Sequence, residues 1–111
     1  TLDHPISFPI EVRVLGADDI PLSTASGQET MYIAVHVFYG TSYEKYFRGV
    51  ESIMNNFQGR PHWGKLHFQN AETLSKKYPE WDLFQKTRSH LDRTGRFTNS
   101  ELEHVLGKLE V

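Results

Sequence analysis

The chain contains no cysteine, which excludes disulfides, thiolate metal ligands and a cysteine nucleophile. No apolar run approaches the roughly 20 residues that a membrane-spanning helix needs, and no signal-peptide pattern opens the sequence. Charge of one sign is scarce as well. Twelve Lys and Arg against fourteen Asp and Glu leave a formal net charge of −2, so there is neither a basic footprint for nucleic acid nor an acidic tail. Apolar residues make up only 38%, which is low for a core that must stand alone. There is no HExxH pattern and no Gly-rich loop able to cradle a phosphate. Six histidines are present, but His62 and His67 lie five apart and share no regular strand face, so no metal site is expected. The default expectation from these features is a cytoplasmic protein that partners no nucleic acid.

At 111 residues the chain is the size of one domain, with no room for a nucleotide-binding domain and a substrate domain together. Residues 1–7 read as the tail of a connection. Residues 8–14 alternate, with Ile10, Val12 and Val14 on one side and Glu11 and Arg13 on the other, which predicts a half-buried strand. Gly, Ala, Asp, Ser and Pro crowd residues 16–27 and predict a loop. A second alternation, Met31, Ile33, Val35 and Val37 against Tyr32, Ala34, His36 and Phe38, predicts a strand over 31–38. Thr41 and Glu44 have capping-box spacing ahead of a helix to Phe57, which Gly59 stops. A third strand is expected from His62 to about Phe68. Asn70 caps a short helix over 71–77, Pro79 suits the first turn of another that buries Trp81, Phe84 and Leu91, and Ser100 with Glu103 opens the last. The order predicts an α+β fold, an antiparallel sheet with helices packed on one face. The first of those helices should cover the aliphatic side and leave the polar side open. With so few strands both sheet edges are exposed, so the chain is expected to dimerise or to lean on further sequence.

Two stretches resist explanation by propensity: Arg60-Pro61-His62-Trp63-Gly64-Lys65 and Leu91-Asp92-Arg93-Thr94-Gly95-Arg96-Phe97-Thr98-Asn99. Together they resemble the RPHWGK…LDP.G.F.N signature of the FAD-linked sugar-lactone and alditol oxidases, the relatives of gulonolactone oxidase, arabinonolactone oxidase and alditol oxidase in the vanillyl-alcohol-oxidase superfamily. The likeness extends over residues 8–107. It implies that residues 1–111 are the C-terminal substrate-binding (cap) region of an FAD-dependent oxidoreductase. The FAD-binding domain would then be N-terminal and absent from this chain, and the chain alone would be inactive.

The resemblance also implies roles for particular residues. Glu11 and Arg13, two apart on one strand face, correspond to a substrate-binding pair in which Arg donates to substrate hydroxyls and Glu orients it. Without the resemblance they read as a solvated ion pair, the commoner fate of such neighbours. His36 matches an active-site histidine that helps to deprotonate the reacting hydroxyl, and is otherwise a structural strand histidine. Lys65 matches a cation at the substrate and at the flavin's pyrimidine edge, otherwise an exposed lysine. His62 and, more weakly, Asn99 correspond to FAD contacts. A regular strand would turn His62 and Lys65 to opposite faces, and a twist at Gly64 could reunite them. Two positions depart from the pattern. Arg93 stands where the family has Pro, which loosens a turn. Phe38 stands where alditol oxidase has a Thr that binds the polyol, which favours a flatter sugar lactone over a linear alditol. A different class of reading is a non-catalytic α+β interaction or dimerisation module that has kept the scaffold.

Overall fold

A computed structural model of the chain describes residues 5–109; the rest of the connection expected over 1–7 lies outside them. Two strands and four helices follow in the order β1 (Glu11–Leu15), β2 (Thr30–Ala34), α1 (Glu44–Asn55), α2 (Ala71–Ser75), α3 (Trp81–Leu91) and α4 (Ser100–Leu106). The fold is α+β, as the order of sequence signals predicts. β1 and β2 pair antiparallel, with Glu11 opposite Ala34, Arg13 opposite Tyr32 and Leu15 opposite Thr30. Residues directly opposite share a face. One face therefore carries Glu11, Arg13, Tyr32 and Ala34, and the other Val12, Val14, Met31 and Ile33.

The expected division of labour between these faces is reversed. Val12, Val14 and Ile33 remain 56%, 77% and 42% exposed, so α1 does not roof the aliphatic face. The rest of the protein attaches instead on the polar side. Along β2 the half-buried residues are Thr30, Tyr32 and Ala34, and the Tyr32 hydroxyl shares a short hydrogen bond with Thr24 Oγ1 in the preceding loop. A buried hydroxyl needs a partner, and that partner draws the loop, and what the loop holds, under the polar face.

The expected third strand is absent. Residues 60–70 form turns and irregular backbone, because the segment satisfies itself locally: Gly64 N donates to His62 Nδ1 at 3.0 Å and Lys65 N to the His62 carbonyl at 3.1 Å. Local side-chain acceptors of this kind compete with a sheet ladder for the same amides.

The helices match more closely. Asn70 caps α2, accepting from Thr73 N at 3.1 Å, while Thr73 Oγ1 accepts from Asn70 N at 3.0 Å. α4 is capped one residue earlier than Ser100 predicts, with Asn99 Oδ1 accepting from Leu102 N at 2.9 Å. α1 begins at Glu44 with Tyr43 as its N-cap and no side-chain cap bond, so the Thr41 capping box does not form. Leu91 ends α3 but is 76% exposed instead of buried. The core is small and sits away from the sheet. Leu74, Tyr78, Trp81 and Val105 form it, with Leu22, Trp63, Ala71 and Leu106 packed around.

Candidate functional site

Glu11 and His36, each placed by the hairpin, line one open hollow of about 510 Å³ with Phe8, Pro9 and Ile10. β1 delivers Glu11 at its first residue, where the pleat turns it to the Tyr32 side. His36 lies two residues past the end of β2, in the irregular stretch that replaces the second half of the longer strand expected there. The Phe8 ring sits 6.1 Å from the His36 ring and 4.3 Å from that of Phe38. The hollow thus combines a carboxylate and an imidazole with an apolar floor. A small polyhydroxylated ring has complementary features, with hydroxyls for the polar pair and C–H faces for the aromatic ring.

Arg13 reaches back along its own strand, and its Nε pairs with Glu11 Oε1. Both side chains stay open to solvent, at 69% and 40% exposure for Arg and Glu. An exposed pair of this kind contributes little to stability. What it does is hold the guanidinium beside Glu11, one of the residues lining the hollow, with the Arg13 Nη groups and the second Glu11 carboxylate oxygen not used by that contact.

Lys65 and His62 come from the 62–65 turn, not from a strand. With Nδ1 accepting from Gly64 N, His62 carries its proton on Nε2 and presents a donor. Lys65 is exposed. Two long-range tethers secure this turn. Trp63 Nε1 donates to the Leu22 carbonyl at 2.8 Å. Arg60 donates from Nη1 to the carbonyls of Ser26 at 2.9 Å and Thr24 at 3.2 Å, and from Nε to that of Lys77 at 2.8 Å. Because Thr24 also meets Tyr32, the neighbour of Arg13 across the sheet, the turn bearing Lys65 is fastened on the Glu11–Arg13 side. Sequence reasoning assigned Arg60 no role, since its acceptors are backbone carbonyls that carry no side-chain signature.

Asn99 is occupied as the cap of α4, in a segment shaped by Asp92. That carboxylate accepts from Arg96 N at 2.8 Å and Phe97 N at 2.9 Å, around Gly95 at φ +67°. Arg93 in place of Pro leaves this turn closed. Beneath the 60–65 loop, Trp63 stacks on Tyr78 with centroids 5.3 Å apart. Burial pushes the Tyr78 hydroxyl up to about 12, against the opposing pull of the Arg60 guanidinium. With the Trp63 N–H spent on Leu22, the Tyr78 hydroxyl has no hydrogen-bond partner among the described residues. Among the described residues no three His, Asp or Glu side chains gather into a metal-binding group, and no helix is long and apolar enough to cross a membrane.

Comparison with known proteins decides the lineage. The family model for D-arabinono-1,4-lactone oxidase matches residues 1–105. The chain belongs to that family. It is 53% identical over 103 residues to an L-gulono-1,4-lactone dehydrogenase of Mycobacterium tuberculosis, an alignment that covers 93% of this chain and 24% of the relative. L-gulonolactone oxidase of Mus musculus is 38% identical over 88% of the chain and 23% of its own length. An alditol oxidase of a Streptomyces species is 31% identical over 92% of the chain and 25% of its own length. The chain therefore spans about a quarter of the length of the curated relatives it matches.

Proposed function

We propose that this chain is the substrate-side, C-terminal region of an FAD-dependent oxidoreductase that oxidises a sugar 1,4-lactone. The observation that carries the reading is the hollow shared by Glu11 and His36, with Arg13 ion-paired to Glu11. The family membership supplies the reaction class. Preference for a lactone over an alditol draws support from two sides: the higher identity to the gulonolactone dehydrogenase than to the alditol oxidase, and the Phe38 ring packed on Phe8 where a hydroxyl would suit a polyol.

In this reading Arg13 donates to substrate hydroxyls and Glu11 accepts from them while steering Arg13. The His36 imidazole accepts the proton of the hydroxyl being oxidised. Bound FAD supplies the hydride acceptor. The residues present suit one edge of such a cofactor, since Lys65 brings an exposed ammonium and His62 an Nε2–H donor to a single turn, and both favour carbonyl and anionic oxygens. They do not suit its pyrophosphate, because no Gly-rich cradle exists among the described residues. Binding of the nucleotide half is accordingly assigned to an N-terminal domain outside this chain. In this reading the exposed Lys65 ammonium stabilises negative charge that develops on the acceptor during oxidation.

The alternative, a non-catalytic interaction module, draws on the exposed aliphatic sheet face. Anaerobic mixing of the full-length parent flavoprotein with L-gulono-1,4-lactone, D-arabinono-1,4-lactone and a five-carbon alditol separates the readings. Rapid bleaching of the flavin by a lactone, with a higher kcat/KM than for the alditol, is the expected result. No bleaching by any of the three returns the interaction module, and preference for the alditol overturns the substrate class.

A further inference from the structure

We infer that Arg60 is a positioning residue for the oxidation, joining the turn that carries His62 and Lys65 to the sheet face that carries Glu11 and Arg13. The inference rests on the functional reading above and adds to it a residue that touches neither substrate nor cofactor. The guanidinium is half-buried and bonds three carbonyls in two distant segments at once. Its Nε donates to Lys77 beyond the end of α2, and its Nη1 to Ser26 and Thr24 in the loop that precedes β2. Its plane also lies over the Tyr78 ring, with Cζ 4.9 Å from the centroid. These acceptors stand 17, 34 and 36 residues away in sequence.

Each contact has a geometric consequence. The Thr24 and Ser26 bonds fix the loop whose Thr24 hydroxyl meets Tyr32, and Tyr32 is paired with Arg13. The Lys77 bond and the Tyr78 ring fix the same guanidinium against the helical core. Only one residue, Pro61, separates Arg60 from His62, so the start of the 62–65 turn has little freedom once the guanidinium is seated. Lysine cannot reproduce this, since one ammonium lacks the rigid fork that serves carbonyls in different directions. A loosened fork lets the Lys65 turn drift relative to the hollow, and a drift of about 1 Å between reacting groups costs up to 100-fold in rate.

A double-mutant cycle in the full-length parent enzyme, read as the rate of flavin reduction at saturating lactone, separates positioning from mere structural support. Arg60→Lys is expected to slow reduction by roughly 10- to 100-fold at unchanged flavin content. Arg60→Lys combined with Lys65→Met should be no slower than Lys65→Met alone, because a misplaced group that is already gone cannot be lost twice. If Lys65→Met is slow while Arg60→Lys is normal, or if the two losses multiply, Arg60 is only a structural tie and the site assignment stands without it. If Lys65→Met itself is normal, the functional reading falls and the inference with it. Should Arg60→Lys not accumulate as folded protein, Arg60→Gln, which keeps an N–H donor on a shorter arm, goes through the same cycle with the same criteria.

Discussion

Leu74→Ala should be among the most damaging single changes to the stability of this chain. Leu74 is fully buried at 0% exposure, on the helix that packs against α4, and Tyr78, Trp81 and Val105 surround it. Two of these neighbours are aromatic rings that cannot collapse into the space a leucine leaves. The loss should therefore fall mid-range for such truncations, at about 3 kcal/mol. A chain of this size has a total stability of about 5–15 kcal/mol, and one with so few buried apolar side chains belongs at the low end. The substitution thus removes a large share of the margin.

Urea unfolding followed by tryptophan fluorescence reads this directly, since Trp63 and Trp81 both touch the cluster. With a denaturant slope of about 1.5 kcal/mol per M, the midpoint should fall by roughly 2 M. Val12→Ala provides the contrast. Val12 removes the same kind of surface but is 56% exposed on the open sheet face, so its cost should stay within about 0.5 kcal/mol. Equal losses for the two variants, or a Leu74→Ala loss below about 1 kcal/mol, would refute a core centred on the helices and place it under the sheet.

The 111-residue chain, purified alone, should be colourless and inactive, and stoichiometric flavin absorbance in it would overturn the assignment of FAD binding to other sequence. In the parent enzyme Lys65→Met should slow flavin reduction by on the order of 100-fold while substrate affinity changes little, as rapid-mixing kinetics over a range of lactone concentrations will show. Tyr78 adds a pH dependence of definite sign. Its hydroxyl is raised from 10 to about 12 in the folded chain, so the stability it contributes is complete below pH 10 and is lost as pH rises towards 12. Tyr78→Phe should flatten this alkaline loss and be near neutral or stabilising at pH 7, because the hydroxyl it removes has no partner among the described residues; denaturation midpoints at pH 7, 10 and 11 measure both effects.

What was legible in the sequence was what local chemistry alone decides. The alternation around Glu11 and Tyr32 predicts the hairpin because a pleat has period two, and Asn70 predicts the start of α2 because the capping interaction closes within four residues. The strand expected through His62 and Lys65 fails for an equally local reason that the alternation hid. Trp63 and Lys65 have strand spacing, but the His62 ring and carbonyl take the amides that a ladder would use. Ser100 and Glu103 have the right spacing for a box, yet Asn99 stands one residue closer to the chain's entry and takes the cap. The hidden part of the candidate site is of another kind. Glu11, Arg13, His36 and Lys65 are named by a resemblance that acts on residue types, whereas Arg60, which ties the turn of Lys65 to the sheet, bonds carbonyls that any residue could offer.

The two halves of the candidate site are joined both by Leu22 and Trp63 packing on the common core and by directional hydrogen bonds, and the two kinds of contact do different work. Burial of Leu74 and its neighbours is non-directional and scales with area; it can hold the helices together while tolerating small rotations. The links from Tyr32 to Thr24, from Thr24 and Ser26 to Arg60, and from Leu22 to Trp63 are directional, and a hydrogen bond weakens steeply once its angle is lost. Each contributes only about 1 kcal/mol net, yet together they tie the 62–65 turn to the loop that meets the Tyr32 face of the sheet. A substitution in the core should therefore lower the unfolding midpoint while leaving turnover intact at temperatures where the protein is folded. A substitution at Arg60 should do the reverse, moving turnover further than its small share of the stability would suggest. The open aliphatic face fits the same division: Val12, Val14 and Ile33 bury little here, so the hairpin is oriented by its polar side, which is also the side that presents Glu11 and Arg13.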